Sequence, residues 1–379
     1  MKQRRLYLHI GTEKTGTTSI QEMLFLNRAR LAEEGYHFIA SAGARNNRKL
    51  SAYAIREDRA DEFLELNGIH TRSDRQRFET TFASDLREEI QALPDHIHTL
   101  IASSEHLHSR CLQREEVAKL RALLHPFCDD IRILVYLRPQ IEVITSLYST
   151  ALKCGESEDL GTFVAQRCLP SNPYFNYRGL LDLWADSFGD AQMMVRLYQR
   201  QTLIEGDLLA DFASTIGVDR LRPRLQRPAE LNRSISAVGQ VCFRILNARQ
   251  ATSMDDAGHR HIHERLSQFI CDNLAGPGIR PPLELAERIE GDFAESNEDV
   301  RARWFPERAQ LFDQPTERTD DDGLIDDHYV KLFEEMLTIA LQLSERARLT
   351  EAMSPESPYP AGPECPDRIG EHLRYQSSR

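Results

Sequence analysis

The sequence predicts an α/β fold: a parallel β-sheet flanked by helices, followed by a largely helical C-terminal part. Three observations predict it. Short apolar runs at Leu6–Ile10, Ile97–Ala102 and Ile131–Leu137 have the length and residue types of buried strands. Charged stretches with apolar residues at helical spacing lie between them. Strand, helix and strand already alternate within Leu6–Ile39, a βαβ unit that implies parallel strands and a right-handed crossover.

The first strand, Leu6–Ile10, is broken by Gly11, and a polar hinge runs through Thr15. Gly16, Thr17 and Thr18 lead into a helix carrying Ile20, Met23, Leu24 and Leu26, which extends to Glu34 and is closed by Gly35. Tyr36–Ile39 reads as the second strand. Asn46, Asn47, Arg48 and Lys49 follow it, at the end of the sheet where ligands collect in open α/β folds, so Arg48 is a candidate substrate contact; a solvated loop is the other reading. From Glu57 to Leu93 the pattern is helical and ends at Pro94. The third strand, Ile97–Ala102, runs into Ser103, Ser104, Glu105, His106 and His108. A carboxylate beside histidines past a strand end is a candidate acid–base site, and serines followed by acids are equally helix-cap chemistry.

A helix over Arg114–Leu124 precedes Ile131–Leu137, which runs directly into Arg138 and Pro139. Pro139 suits a helix start, where its missing N–H costs nothing, and leaves the always-charged Arg138 fork at the ligand edge of the sheet. Ser146 follows eight residues later on that helix. Asn172–Tyr177 is a turn-rich aromatic patch that opens a helix closed by Gly189; its aromatics are read as core rather than ligand platform, with Tyr174 a candidate substrate contact. A further strand is read over Gln192–Tyr198 and a helix over Leu208–Ile216. Asn232–Asn247 is amphipathic. In His259–His263 two histidines share a helix face, without a carboxylate or cysteine at ligand spacing, so a solvated face is preferred to a metal site. Arg301–Phe305 is a candidate wall of the site. A last helix is read over Tyr329–Arg348 and a disordered tail after it, so residues 1–348 are expected to form one domain with helical additions at about 50–95 and 225–348.

Composition bounds the function. A net charge of −12 over 379 residues argues against a general polyanion binder, so no nucleic-acid partner is expected. Seven scattered cysteines, never spaced as C-x-x-C, read as reduced thiols of a cytoplasmic protein. No run reaches the length of a membrane span, and the N-terminus enters the first strand without an apolar leader.

The segment Gly11–Ser19 carries the chemistry. Strand, glycine loop and helix together aim backbone N–H groups and a positive helix end at one spot, a P-loop-type cradle for a phosphate-like anion. Lys14 adds a mobile cation and Thr17 and Thr18 add hydroxyls. It is not a Walker A loop, because Thr17 stands where the lysine belongs and Lys14 precedes Gly16 by two. The run Glu13-Lys14-Thr15-Gly16-Thr17-Thr18 resembles the 5′-phosphosulfate loop of sulfotransferases, P-K-[ST]-G-T-[TS], departing from it at Glu13 where proline is usual. The second half of the resemblance is Arg138 and Ser146 in YLRPQIEVITSLYS, which has the spacing of that family's 3′-phosphate site. Residues 177–217 resemble its downstream helix–strand–helix.

The resemblance implies a sulfotransferase. The donor would be 3′-phosphoadenosine-5′-phosphosulfate, leaving adenosine 3′,5′-bisphosphate, with no metal required. Thr12, Lys14, Thr15, Gly16, Thr17 and Thr18 would hold the 5′-phosphosulfate, and Arg138 with Ser146 the 3′-phosphate. Lys14 would be catalytic. The general base is taken as Glu105, with His106 and His108 as alternatives. The acceptor is read as a small molecule or a glycan, on a carbohydrate or glycolipid hydroxyl. The rival readings are a P-loop kinase of a small metabolite and a nucleotide-binding protein without catalysis.

Overall fold

A computed structural model describes residues 4–229, 234–251 and 257–313, and singly 331, 333, 335 and 338. Its strands are β1 Arg4–Gly11, β2 Tyr36–Phe38, β3 Thr99–Ser103, β4 Cys128–Leu137 and β5 Met193–Leu197. They form one five-stranded sheet in the order β2-β3-β1-β4-β5, and every neighbouring pair is parallel. The predicted α/β architecture is therefore present. The predicted tail lies outside the described residues, as does most of the helix expected at Tyr329–Arg348.

The chain divides into two units. The first comprises 1–139, 170–231 and 292–314, and holds the sheet. Its helices, numbered along the whole chain, are α1 Thr17–Leu26, α2 Arg28–Glu33, α3 Arg48–Ala54, α4 Glu62–Leu66, α5 Arg72–Gln91, α6 His106–Arg110 and α7 Arg114–Leu124, then α10 Tyr177–Phe188, α11 Leu208–Thr215 and α15 Ala294–Trp304. The second unit takes 140–169, 232–291 and the remainder, with α8 Gln140–Lys153, α9 Leu160–Arg167, α12 Ala237–Ala251, α13 Ala257–Asn273 and α14 Leu283–Asp292.

Strand alternation decides how the first unit is layered. Leu6, Leu8 and Ile10 point into one core with Leu100, Ile133 and Val135; there α3, α5, α7, α10 and α15 bury Leu50, Phe82, Leu86, Leu120, Trp184 and Val300. Tyr7, Ile101, Leu134 and Tyr136 point the other way, onto Ile20, Met23 and Leu24 of α1, Leu31 of α2 and Phe212 of α11. A parallel sheet covered on both faces accounts for the nearly unbroken apolar runs in its strands.

Three departures from the sequence reading have identifiable causes. The helix expected to run to Glu34 is split at Asn27, whose side-chain amide donates to the carbonyls of Met23 and Gln226 and whose carbonyl accepts from Gln226 N–H at 2.8 Å. The segment 48–54, read as loop at its start, is helical because Asn47 folds its side chain back onto Ile39 and Gly43 carbonyls and accepts from Ser103 N–H. The helical stretch read from Glu57 breaks into α4 and α5 around Gly68, at φ 68°, before Thr71 and Asp74 start α5 with a capping box.

The order of the sheet places its ligand edge. The chain leaves β1 toward β2 on one side and leaves β4 toward β5 on the other, so a crevice opens between the carboxyl ends of β1 and β4. Below it, Asp211 of α11 accepts from Tyr136 Oη at 2.8 Å and from Ile204 N–H, and forms an ion pair with Arg196 of β5. Asp211→Ala removes the acceptor shared by these three donors, of which the Tyr136 hydroxyl sits on a fully buried side chain and Arg196 is partly exposed. Urea unfolding is expected to record a loss of about 3 kcal/mol for Asp211→Ala and about 1 kcal/mol for Tyr136→Phe.

Candidate functional site

The loop after β1 is built on left-handed backbone. Gly11 has φ 84°, and a Cβ there would lie 2.9 Å from the Cα of Glu105, so the end of β1 needs glycine for a close approach. Lys14 follows at φ 64° and Gly16 at φ 74°. A side-chain-bearing residue in that region costs roughly 1 kcal/mol, so the lysine at the centre of the loop is held in place against strain. Thr12 Oγ1 donates to the Tyr136 carbonyl at 2.9 Å and Thr15 Oγ1 to the Thr12 carbonyl at 2.6 Å. These two hydroxyl protons brace the loop.

Gly16 caps α1 with no side-chain hydrogen bond, and no acidic residue occupies the first turn. The positive end of the helix therefore carries no carboxylate of its own, as an anion site requires. Thr17 is buried at this end and Thr18 exposed.

Arg138, at the end of β4, is brought to this loop. Its Nη1 donates to the Lys14 carbonyl at 2.9 Å, and its guanidinium lies 5.4 Å from the centre of the Tyr198 ring. Tyr177 Oη donates to the Arg138 carbonyl at 2.5 Å, and Tyr198 N–H to the Leu137 carbonyl at 2.7 Å. The two predicted cationic positions thus meet at the crevice. Ser146 lies on α8, in the second unit.

Glu105 follows β3, on the other side of β1. Gln21 Nε2 donates to its Oε2 at 2.6 Å and Asn46 Nδ2 to the same oxygen at 3.0 Å. It occupies the cap position of α6 without a side-chain cap bond, so cap chemistry does not explain the serine–glutamate run. His108 is buried and uses both ring nitrogens: Nε2 donates to the Tyr174 carbonyl at 3.0 Å and Nδ1 accepts from Glu13 N–H at 3.5 Å. His106 is held neutral to about pH 3, chiefly by burial and then by the Arg48 guanidinium, and its Nδ1 is a buried atom without a hydrogen bond.

Glu13, where the sulfotransferase loop has proline, turns into a buried cluster. Tyr174 Oη donates to its Oε2 at 3.0 Å. Burial alone would push its carboxyl up; His106, Arg110, a hydrogen bond from Ser109 and His108 outweigh that and bring it down to about 2. Arg48 pairs with buried Asp61 at 2.6 Å, and Arg110 lies 3.6 Å from the same carboxylate. The two expected substrate contacts, Arg48 and Tyr174, are thus engaged by buried carboxylates.

Gln21, Asp61 and Arg110 were not singled out from sequence as site residues, and Asn46 was read only within the run Asn46–Lys49. Gln21 lies one helical turn after Thr17, a spacing that puts it on the face of α1 below the cradle, and this was the one available signal. The expected wall at Arg301–Phe305 is corrected. Arg303 pairs with Asp182 and with Asp190, which precedes β5, so it lies toward the amino end of the sheet, away from the crevice. His263 donates through Nε2 to Asn247 Oδ1 at 2.8 Å, and Asn247 in turn donates to the Leu152 and Glu156 carbonyls, a packing role within the second unit. Among the described residues no group of three or more His, Cys, Asp or Glu is arranged to hold a metal ion, and no helix is long and apolar enough to cross a membrane.

No protein-family model matches the chain. An uncharacterised protein of Archaeoglobus fulgidus is 27% identical over 202 residues, which are 53% of this chain and 52% of that one. The chain thus spans about half the length of the curated relative it matches. A sulfotransferase structure from Alicyclobacillus acidocaldarius aligns over 80% of this chain and 96% of its own at 13% identity, with a TM-score of 0.38, too low to bear on the site.

Two outcomes follow from this geometry. A Cβ at Gly16 would lie 2.4 Å from Leu208 Cδ2 at a positive φ, so Gly16→Ala is expected to cost about 2 kcal/mol in urea unfolding, with part recovered in the double variant with Leu208→Ala. The carboxyl of Glu13 titrates lower in the fold than in the unfolded chain, so its contribution is complete above pH 4.5 and is lost as the pH falls toward about 2. The stability gap between wild type and Glu13→Gln, followed by urea unfolding across that range, should narrow as the pH falls.

Proposed function

We propose that the chain is a sulfotransferase using 3′-phosphoadenosine-5′-phosphosulfate. The observation that carries this reading is the hydrogen bond from Arg138 to the Lys14 carbonyl, which joins the two loops that resemble the family's phosphate sites at the carboxyl ends of β1 and β4. The residues present fit such a donor: an uncapped helix start without acidic residues, a lysine in the loop, and an arginine fastened beside it.

When bound, the donor supplies a sulfuryl group activated by its bond to the 5′-phosphate. Gly16, Thr17 and Thr18 would hold that phosphate through backbone N–H groups at the start of α1. Lys14 would supply counter-charge where negative charge builds as the bond breaks. Arg138 would take the 3′-phosphate, with its fork oriented by the Lys14 carbonyl and the Tyr198 ring. Glu105 would take the acceptor's proton. Its carboxylate is set on the neighbouring strand end, and Gln21 and Asn46 fix the plane of the group. An acceptor hydroxyl of a carbohydrate or glycolipid completes the proposal.

The kinase reading keeps one observation in its favour. Glu105 ends the strand beside β1, where a magnesium-holding carboxylate would stand in a nucleotide triphosphatase. Against it, Thr17 occupies the lysine position of that motif. Transfer of radiolabelled sulfate from the donor to a panel of glycosides and glycolipids separates the two. Lys14→Ala is expected to lower turnover by about 100-fold or more, and chelation of magnesium to leave it unchanged. Magnesium-dependent consumption of ATP without sulfate transfer would favour the kinase.

A further inference from the structure

Glu105 receives two hydrogen bonds on one oxygen from two carboxamides that come from separate parts of the chain. Gln21 lies on α1, one turn beyond the residues that start the cradle, and Asn46 lies in the segment after β2. A carboxylate can only accept, so both amides must present nitrogen to it, and the Asn46 carbonyl oxygen is left as a buried atom without a hydrogen-bond partner. Gln21 itself is buried and cannot swing away cheaply. Each of the two amides donates to the charged form of Glu105 and favours it.

We propose that Gln21 and Asn46 are positioning residues that fix Glu105 as the proton acceptor of the transfer. By holding Oε2 they set the direction of Oε1, and through α1 they tie the base to the helix whose N-terminus forms the anion cradle. The proposal rests on the sulfotransferase reading, with Glu105 as base. In the reaction a hydroxyl oxygen attacks sulfur, the bond from sulfur to the bridging oxygen of the 5′-phosphate breaks, and the hydroxyl proton passes to Glu105. Water is the simplest hydroxyl. Slow hydrolysis of the donor to sulfate and adenosine 3′,5′-bisphosphate therefore reports on the same proton transfer without an identified acceptor.

Two readouts test it on the full chain. In protein labelled with carboxyl ¹³C glutamate, the Glu105 signal is assigned by its loss in Glu105→Gln and followed against pH. Gln21→Met and Asn46→Leu, each checked for folding by circular dichroism, are expected to raise its midpoint by about one pH unit, since each removes a donor to the charged form. In donor hydrolysis, the acid limb of the rate profile should move up by the same amount and the plateau rate fall by about 10-fold, while affinity for the bisphosphate stays within about twofold. An unmoved midpoint, or a sulfate-release profile indifferent to both variants, overturns the proposal. Failure of wild type to bind the bisphosphate would instead remove the sulfotransferase reading, and the carboxyl titration would still decide whether the amides act on Glu105.

Discussion

The carboxyl edge of the sheet depends on one hydrogen bond, from the Arg138 guanidinium to the carbonyl of Lys14. It joins the end of β4 to a loop whose backbone is held in left-handed conformations at Gly11, Lys14 and Gly16. A carbonyl turned to accept from a guanidinium fixes the peptide plane on which Lys14 stands, and the strain at its φ of 64° persists because that plane is held. Tyr177 on the Arg138 carbonyl and the Tyr198 ring beneath the guanidinium secure the other end. The parallel ladder of β1 with β4 and the Thr12 hydroxyl on the Tyr136 carbonyl hold the two strand ends side by side, and the bond to the Lys14 carbonyl turns the arginine fork onto the loop.

Behind the loop lies a second layer of constraint made of buried charge. Glu13, Tyr174, His108, Arg110, Asp61 and Arg48 satisfy one another, with Asp61 lying between two guanidiniums and Glu13 under a tyrosine hydroxyl. Such a network gains little net stability over apolar packing, but breaking one member strands the rest, so it fixes a unique arrangement. It also accounts for Glu13 at the position where the sulfotransferase loop has proline: the carboxylate is drawn into the cluster. A proline would set the backbone by its ring; here Tyr174 and Arg110 do so through the side chain.

How far the sequence could be read follows from the range of the forces involved. The strands were legible because burial on both faces leaves unbroken apolar runs, as in Ile131–Leu137, whereas their order, with β3 between β1 and β2, was not. The anion loop was legible because glycine positions and helix starts are local chemistry. The break at Asn27 was not, since the carbonyl of Gln226 that its side chain reaches lies far along the chain. Arg48 and Tyr174 could be read as substrate contacts because their partners, Asp61 and Glu13, are brought to them only by the fold. Gln21 was hidden for the same reason: its meaning depends on Glu105, a strand away. Arg303 was misplaced because pattern alone does not tell which end of a parallel sheet a C-terminal helix meets.

The ligand proposed for the crevice between β1 and β4 is a nucleotide with phosphates at both the 5′ and 3′ positions. Calorimetric titration with adenosine 3′,5′-bisphosphate and with adenosine 5′-monophosphate, on wild type and Arg138→Ala, isolates the 3′-phosphate. Wild type is expected to prefer the bisphosphate by about 100-fold, the equivalent of one charge-assisted arginine–phosphate contact, and the preference to vanish in the variant. Equal affinity for the two nucleotides, with tight binding of ATP and magnesium in their place, would contradict it.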